Sequence, residues 1–336
     1  MIKKGLFWLL LTVVSTAMAE VSISSSPMVF FEGFGLRFVL PLYGLHILFF
    51  GSLSVFGKKT VRFSSLILAG TLFGLYEAYI TKVLWIPTWN ANSFRILEVA
   101  FFPFLVLVFF YHVWMAFILP LIMVEYFTCT ERAVFGALPN WLRVLFKKRT
   151  FLMIALFYFG LLHGVALETP LQSAVSVFGT SILILGIMTL YRTYFALAGD
   201  SLTELLPGQK MRWVLGLLLL GLYAYSLFTI RPESLPGWQG HLVILLAYLG
   251  LGSLFWRSEK LARAASCPEG LVLTQLPNIN WLWGLSTCIF FGSSVLGLSF
   301  LKDFQPVLVV ILWGMGIPFG IYGLWLAVRS IVSRSR

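Results

Sequence analysis

The chain has 336 residues, of which 59% are hydrophobic and 11% charged, and its mean hydropathy is +0.92. Soluble domains carry about 25% charged residues, and a soluble fold of this length could not hide so much apolar surface, whereas a chain surrounded by lipid does not need to. The net charge of +11 is compatible with nucleic-acid binding, but the positions of the basic residues, given below, argue against that partner.

The first segment, residues 1–19, has the pattern of a secretory signal peptide. Lys3 and Lys4 form a basic start, an apolar core shorter than a full span follows, and Ala17-Met18-Ala19 supplies an A-x-A cleavage site. Cleavage would leave Glu20 as the mature N-terminus outside the cytoplasm, followed by a short extracytoplasmic segment over 20–35. The alternative is an uncleaved anchor.

Nine apolar segments follow, each near the roughly 20 residues that a helix needs to cross a bilayer. Their predicted ranges are 36–56, 63–86, 97–124, 151–168, 173–195, 212–230, 241–256, 281–301 and 306–328. Such segments must be helical, because lipid does not tolerate unpaired backbone groups. The sequence therefore predicts an all-α polytopic transmembrane helical bundle over 36–328, with about nine spans after a cleaved signal peptide, and a cytoplasmic basic tail over 329–336.

The basic residues predict the orientation of these spans. With the mature N-terminus outside, seventeen of the 24 Lys and Arg residues fall in cytoplasmic segments. Four fall outside: Arg37, Arg95, Arg231 and Lys302. This bias obeys the positive-inside rule and indicates the cytoplasmic (inner) membrane of a prokaryote with the C-terminus in the cytoplasm. The orientation of the spans and attraction to anionic lipid therefore explain the net positive charge. No nucleic-acid partner is expected.

The longest predicted loops, near 128–150 and 257–280, are cytoplasmic, and no segment is long enough to form a soluble catalytic domain. In the first, ALPNWLRVLFKKRT (137–150) mixes aromatic and basic residues. This pattern is typical of a segment that lies along the membrane surface; a docking site for a partner is the alternative.

The three cysteines, Cys129, Cys267 and Cys288, have no metal-type spacing. The topology places none of them on the oxidising side of the membrane, so no disulfide is expected.

Two stretches of the chain resemble each other. Residues 56–74 align with 146–164 at an offset of 90. The matched positions include a Gly-x-x-x-Gly pair in each copy: Gly70 with Gly74, and Gly160 with Gly164. Such pairs let helices approach closely, and parallel repeats are known in transporters. The alternative is that apolar sequence with basic flanks aligns with itself without a duplication.

Four ionisable side chains fall at similar depth in four consecutive predicted spans: His46, Glu77, His112 and His163. A carboxylate near the membrane centre costs roughly 2.5–3.5 kcal/mol while it stays charged, and intramembrane ionisable residues are functional candidates by default. We therefore predict a shared polar site in which Glu77 accepts a proton or cation and the histidines are its partners. The alternative is that each group is hydrogen-bonded separately.

This cluster is compatible with several chemistries. Imidazole titrates near neutral pH and suits a proton relay. Imidazole and carboxylate together also suit Zn, Fe or Mn, which makes the same four residues metal candidates, and two histidines could hold a haem. The chain has no H-E-x-x-H, no C-x-x-C-H and no nucleotide-binding or hydrolase motif. The sequence therefore identifies no cofactor.

Lys82, Glu98 and Glu168 are secondary candidates near the outer ends of spans. Lys82 is predicted to extend to the membrane interface. It is not expected to pair with Glu77, because a spacing of five residues places the two about 140° apart around a helix. Glu77 is expected to meet Thr81 or a group on another helix. Charges at span ends are usually solvated.

The function that these features favour is transport of a small solute or ion, with or without proton coupling, and an enzyme is less favoured. The alternatives are a membrane-embedded enzyme acting on a lipid, a haem- or metal-binding membrane protein, and a structural or assembly subunit of a membrane complex. The expected partners are the lipid bilayer and a small solute or ion, and the sequence identifies no protein partner.

Overall fold

The computed structural model describes residues 2–58, 60–85, 93–195, 200–264 and 276–333. Within these ranges the regular structure is helical apart from one two-stranded hairpin. Nine helices there are long and apolar enough to cross a membrane. The predicted all-α polytopic transmembrane fold is confirmed.

Residues 2–80 contain three helices, and the first two are each continuous with a π-helical turn. Helix α1 is Ile2–Thr16 and continues as a π-helical turn, Ala17–Val21. A second π-helical turn, Gly35–Val39, leads into α2, Leu40–Ser54, and α3 is Phe63–Ile80. Helix α3 therefore ends earlier than the predicted span, 63–86.

A hairpin and a long composite helix follow α3. Strands β1, Arg95–Ile96, and β2, Val99–Ala100, pair antiparallel, with Arg95 opposite Ala100. The composite helix comprises α4, Phe101–Phe104, a π-helix, Leu105–Ile118, and α5, Leu119–Thr128. The π-helix has 14 residues, which is unusual because π-helices appear mostly as single turns, often at functional sites.

The segment after α5 contains two short helices and two long ones. They are α6, Ala133–Ala137, α7, Asn140–Lys147, α8, Arg149–Val165, and α9, Pro170–Tyr194. In α7, Leu142 is buried while Trp141 and Lys147 are exposed. That division fits a helix lying on the membrane surface, which stays a prediction.

The remaining helices complete the chain. They are α10, Leu202–Leu205, α11, Gln209–Thr229, α12, Trp238–Ala264, α13, Asn280–Phe300, and α14, Gln305–Val332, with 3₁₀ turns at Pro232–Ser234 and Lys302–Phe304. Helix α14 continues beyond the predicted end of the last span at residue 328. The end of the basic tail, residues 334–336, lies outside the described residues.

Eight of the nine long apolar helices coincide with predicted spans. The ninth is Ile2–Val21, which contains the predicted signal peptide. The predicted span at 151–168 corresponds to α8, which has 17 residues and is the shorter apolar helix among those described. Length and composition thus allow α1 to span the membrane, and cleavage after Ala19 stays a prediction.

The helices group into two compact units, each assembled from three stretches of the chain. Unit 1 comprises Met1–Gly44, Leu119–Leu205 and Glu269–Trp313, and unit 2 comprises Leu45–Ile118, Leu206–Pro268 and Gly314–Arg336. The two copies of the predicted repeat fall in different units, since 63–74 belongs to unit 2 and 149–164 to unit 1. The candidate residues are divided in the same way: His46, Glu77 and His112 lie in unit 2 and His163 lies in unit 1.

In unit 1 the glycines of α8 lie where α13 approaches most closely. A Cβ atom at Gly164 would lie 1.8 Å from the backbone oxygen of Ser294, and one at Gly160 would lie 1.9 Å from Oγ of Ser293. No side chain larger than hydrogen fits at these positions without moving one of the helices. The Gly160/Gly164 pair therefore sets the distance between α8 and α13.

Two of the three cysteines lie in the described part of the chain. Cys129 is buried, Cys288 is exposed, and both are free thiols. Burial raises the pKa of the Cys129 thiol well above its usual range, so this residue is an inert thiol and not a reactive one. Cys267 lies outside the described residues.

Candidate functional site

The site begins with one face of α3. Gly70, Gly74 and Glu77 share that face, because residues three and four apart lie on the same side of a helix. A Cβ atom at Gly74 would lie 3.0 Å from Cβ of His112 and 3.1 Å from the backbone oxygen of Leu107. The absence of a side chain at Gly74 therefore lets the π-helix approach α3 one turn before Glu77.

Glu77 and His112 form a buried pair within unit 2. Nε2 of His112 lies 2.7 Å from Oε2 of Glu77, and the two residues are 2% and 6% exposed. The sequence predicts that Glu77 meets either Thr81 or a group on another helix. The structure shows the second of these, because the carboxylate contacts His112 on the π-helix. The Thr81 hydroxyl instead donates to the backbone oxygen of Glu77 at 2.9 Å.

The backbone of the π-helix determines which nitrogen of His112 carries its fixed proton. Nδ1 lies 2.9 Å from the backbone oxygen of Leu107, and a carbonyl oxygen can only accept, so Nδ1 must be the donor. Nε2 then either accepts a hydrogen bond from a protonated Glu77 or, when itself protonated, donates one to the carboxylate. In both forms the pair holds one shared proton and has no net charge.

His46 lies beside this pair in an aromatic setting. Its ring stacks on Phe73 with centroids 4.9 Å apart and lies 5.0 Å from the ring of Tyr76. Phe73 also contacts His112, with ring centroids 5.8 Å apart. Phe73 therefore contacts both imidazoles, and the structure gathers three of the four predicted site residues into one region of unit 2.

His163 has its own partners in unit 1. Its Nδ1 lies 2.7 Å from Oγ of Ser294, and its Nε2 lies 2.9 Å from Oγ of Ser176. Ser294 is also 2.7 Å from the hydroxyl of Ser173. This network joins α8, α9 and α13, because each ring nitrogen of His163 is hydrogen-bonded to a serine on one of the other two helices. For His163 the arrangement corresponds to the alternative in which each group is hydrogen-bonded separately.

Lys82 does not extend to the interface as predicted; it is buried, with 2% of its surface exposed. Its ammonium donates to the backbone oxygens of Leu227 at 3.1 Å, Arg231 at 3.0 Å, and Ile230. These carbonyls lie at the C-terminal end of α11, where unpaired carbonyls and the helix dipole favour a cation. All three ammonium protons have an acceptor, so Lys82 caps α11.

Glu98 caps the next helix of the same unit. It occupies the two-residue turn of the β1–β2 hairpin with Leu97, and both have positive φ, 70° and 47° respectively, as in the turns that suit tight hairpins. Its Oε2 accepts from the backbone N–H of Gly240 at 3.2 Å, in the first turn of α12. An anion is favourable there, so Lys82 and Glu98 match the opposite dipole ends of α11 and α12.

The capping role of Lys82 gives a testable prediction. Lys82→Met keeps the length of the side chain but leaves three partly buried carbonyls without their cationic donor. We expect the free energy of unfolding to fall by about 1.5–3 kcal/mol, the range for hydrogen bonds to charged groups. Thermal unfolding of the purified protein in detergent measures it, with the exposed Lys302→Met as control; equal Tm values for the two variants would contradict the cap.

Glu168 and the metal candidates complete the predicted set. The Glu168 side chain is exposed at the start of α9, as expected for a charge at a span end, and its backbone N–H donates to Oε1 of Gln172 at 2.9 Å. The described residues contain no group of three or more His, Cys, Asp or Glu that could hold a metal ion. The residues proposed as metal candidates are brought together only as the Glu77–His112 pair with His46 nearby.

Two contributors to the site were not predicted. One is the Leu107 carbonyl, which orients His112 from five residues earlier. The other is Phe73, which lies one turn before Glu77 on α3. A sequence signal existed only for Phe73, since residues four apart on a helix are neighbours. The role of Leu107 depends on the π-helix, which the sequence does not indicate.

The chain was also compared with known proteins. Residues 9–334 match the model of an uncharacterised membrane protein family. The chain belongs to that family. An uncharacterised protein of Archaeoglobus fulgidus is 34% identical over 248 residues, which cover 73% of this chain and 75% of that protein. No solved structure matches the chain. Family membership thus agrees with the membrane fold.

Proposed function

We propose that this member of the family moves protons, or a small solute coupled to protons, across the membrane, with the Glu77–His112 pair as the proton-carrying site. The observation that carries the proposal is the 2.7 Å contact between Nε2 and Oε2 together with the fixed Nδ1 proton of His112. A carboxylic acid facing an imidazole lone pair can give up and regain a proton without any change of partner.

The charge balance of the pair explains why proton movement would be coupled. With one shared proton the pair is neutral, which suits a site in a membrane span. Loss of that proton would leave a net negative charge, and charges in the membrane interior are costly. Release is therefore favoured when another proton or a positively charged solute enters. This requirement is typical of exchange or cotransport and less typical of an open channel.

The orientation of the transporter belongs to the same proposal. The distribution of Lys and Arg supports a cytoplasmic C-terminus, and the membrane would be the cytoplasmic membrane of a prokaryote. On this orientation Lys82 and Glu98 lie at the outer ends of their spans. Their capping contacts on α11 and α12 would hold the outer end of unit 2, while Glu77 lies deeper on α3.

Proton movement can be tested in proteoliposomes that contain an entrapped pH-sensitive dye. An imposed pH gradient, with potassium and valinomycin present to compensate charge, should dissipate faster in vesicles with wild-type protein than in protein-free vesicles. Glu77→Gln should insert normally and reduce the rate to that of protein-free vesicles. The matched control is Glu168→Gln, which removes an exposed carboxylate outside the pair.

Two outcomes would count against the proposal. A wild-type rate equal to that of protein-free vesicles would reject proton movement without a cosubstrate, and a Glu77→Gln rate equal to that of the wild type would reject the pair as the proton-carrying site. The second result, with normal insertion, would favour a structural role in which the polar groups only hold helices together.

A further inference from the structure

Helix α1 is part of the packed interior of unit 1. Phe7, Leu10 and Leu11 are each no more than 1% exposed, and the helix packs against α5 and α9. The ring of Phe7 lies 5.8 Å from that of Tyr191 on α9. These contacts involve the apolar core of the predicted signal peptide.

The basic end of α1 has a specific acceptor. Nζ of Lys3 forms an ion pair with Oδ1 of Asp200 at 2.6 Å, and the hydroxyl of Tyr191 donates to Oδ2 of the same carboxylate at 3.2 Å. Asp200 is 8% exposed. The two carboxylate oxygens therefore receive donors from two different helices, one of them α1.

Two more donors of α1 have acceptors a few residues beyond Asp200. Nζ of Lys4 donates to the backbone oxygen of Glu204 at 2.6 Å, and Nε1 of Trp8 donates to that of Leu205 at 2.8 Å. A signal peptide requires a positive charge near its start but no particular acceptor for it. Here three donors of α1 meet one short stretch, residues 200–205.

The predicted cleavage site is continuous with this helix. Ala17 and Ala19 are 6% and 0% exposed and lie in the π-helical turn Ala17–Val21. Beyond the site, Oε2 of Glu20 accepts from the hydroxyl of Ser25 at 2.6 Å. The match to the family also begins at residue 9, inside the apolar core and upstream of the cleavage site.

We propose that residues 1–19 are retained, that the Ala17-Met18-Ala19 site is not processed, and that Ile2–Val21 is a permanent transmembrane helix docked through Lys3 and Asp200. Apolar packing alone does not support retention, because lipid solvates an apolar helix as well as protein does. The polar contacts with residues 200–205 support it, since removal of α1 would leave these acceptors without the donors Lys3, Lys4 and Trp8.

Retention changes the position of the N-terminus and leaves the rest of the topology as predicted. A retained helix with Lys3 and Lys4 in the cytoplasm delivers Glu20 to the outside, as cleavage would. Each later span therefore keeps its orientation. The inference does not depend on the proposed proton transport.

The mass of the mature protein tests retention directly. The full chain, with a C-terminal purification tag and its native start, is expressed in a bacterium that has signal peptidase and is purified from the membrane. Intact mass and N-terminal sequencing should show a chain that still contains residues 2–19. A chain that begins at Glu20 would overturn the proposal.

A charge exchange tests whether Lys3 is bound in the folded protein. Lys3→Asp and Asp200→Lys should each lower Tm by about 2 °C, since the same loss of stability shifts the Tm of a longer chain less than that of a shorter one. The double variant Lys3→Asp/Asp200→Lys should recover much of that loss, whereas the matched double variant Lys4→Asp/Asp200→Lys should not. Equal Tm values for the two double variants would overturn the docking of Lys3 on Asp200.

Discussion

Replacement of His112 by leucine is expected to lower the free energy of unfolding by about 1–3 kcal/mol, the cost of leaving a buried polar group without its partner. Glu77 keeps its position on α3 but loses its hydrogen-bond partner, Nε2 of His112. The carboxyl can avoid a bare charge by holding its proton, which limits the loss to a missing hydrogen bond. Chemical or thermal unfolding of the purified variant in detergent measures this effect.

Glu77→Gln is the matched variant because it removes the exchangeable proton and keeps the contact. The leucine carbonyl at position 107 holds the fixed proton on Nδ1, so Nε2 of His112 presents a lone pair. The amide N–H of glutamine can donate to that lone pair. We therefore expect Glu77→Gln to remain close to wild type in stability while losing proton movement.

The two variants separate the chemistry of the pair from its contribution to folding. His112→Leu should lose both stability and proton movement, whereas Glu77→Gln should lose only the second. If Glu77→Gln were destabilised as much as His112→Leu, the shared proton would reside on Nε2 of His112, opposite a Glu77 carboxylate, and not on Glu77. The double variant Glu77→Leu/His112→Leu should be at least as stable as His112→Leu, since it no longer leaves the Glu77 carboxyl without a partner.

The spans could be predicted because the bilayer restricts what a chain can do. Backbone groups in lipid must be paired within the segment, and the thickness of the bilayer sets its length. Eight predicted spans therefore coincide with long helices of the structure. Glu77 stood out for a related reason, since a carboxylate in such a segment needs a partner.

The composition of the site could be predicted only in part, because depth in the membrane does not specify direction around a helix. His112 and His163 were expected at similar depth. His112 faces Glu77 in unit 2, whereas His163 binds two serines in unit 1. The 14-residue π-helix adds a second difficulty, because a face worked out with α-helical spacing does not apply to it.

Lys82 shows how a local backbone turn can overrule a general tendency. A lysine near a span end normally extends its ammonium to water. Helix α3 ends at Ile80, and Lys82 has a φ of 62°, so its side chain leaves the line of the helix. The C-terminal carbonyls of α11 lie within its reach. Their position depends on a segment about 145 residues away, which local sequence does not reveal.

Gly164→Ala is expected to be among the most damaging single substitutions in unit 1. The added methyl group would lie 1.8 Å from the backbone oxygen of Ser294 and 2.8 Å from the backbone nitrogen of Leu298. Backbone atoms cannot rotate away as a flexible side chain can, so α8 and α13 must separate. Overpacking of this kind costs about 1–3 kcal/mol, and separation would also stretch the 2.7 Å contact between His163 and Ser294.

Gly186→Ala on α9 is the matched control, because a Cβ atom there meets nothing within 4 Å. It adds the same methyl group to a transmembrane helix and should leave the Tm unchanged or slightly higher, since alanine favours helix more than glycine does. Comparison of the two Tm values in detergent isolates the effect of helix contact. A Gly164→Ala protein as stable as Gly186→Ala would mean that α8 and α13 are not held at this distance, and the hydroxyl network around His163 would then need another support.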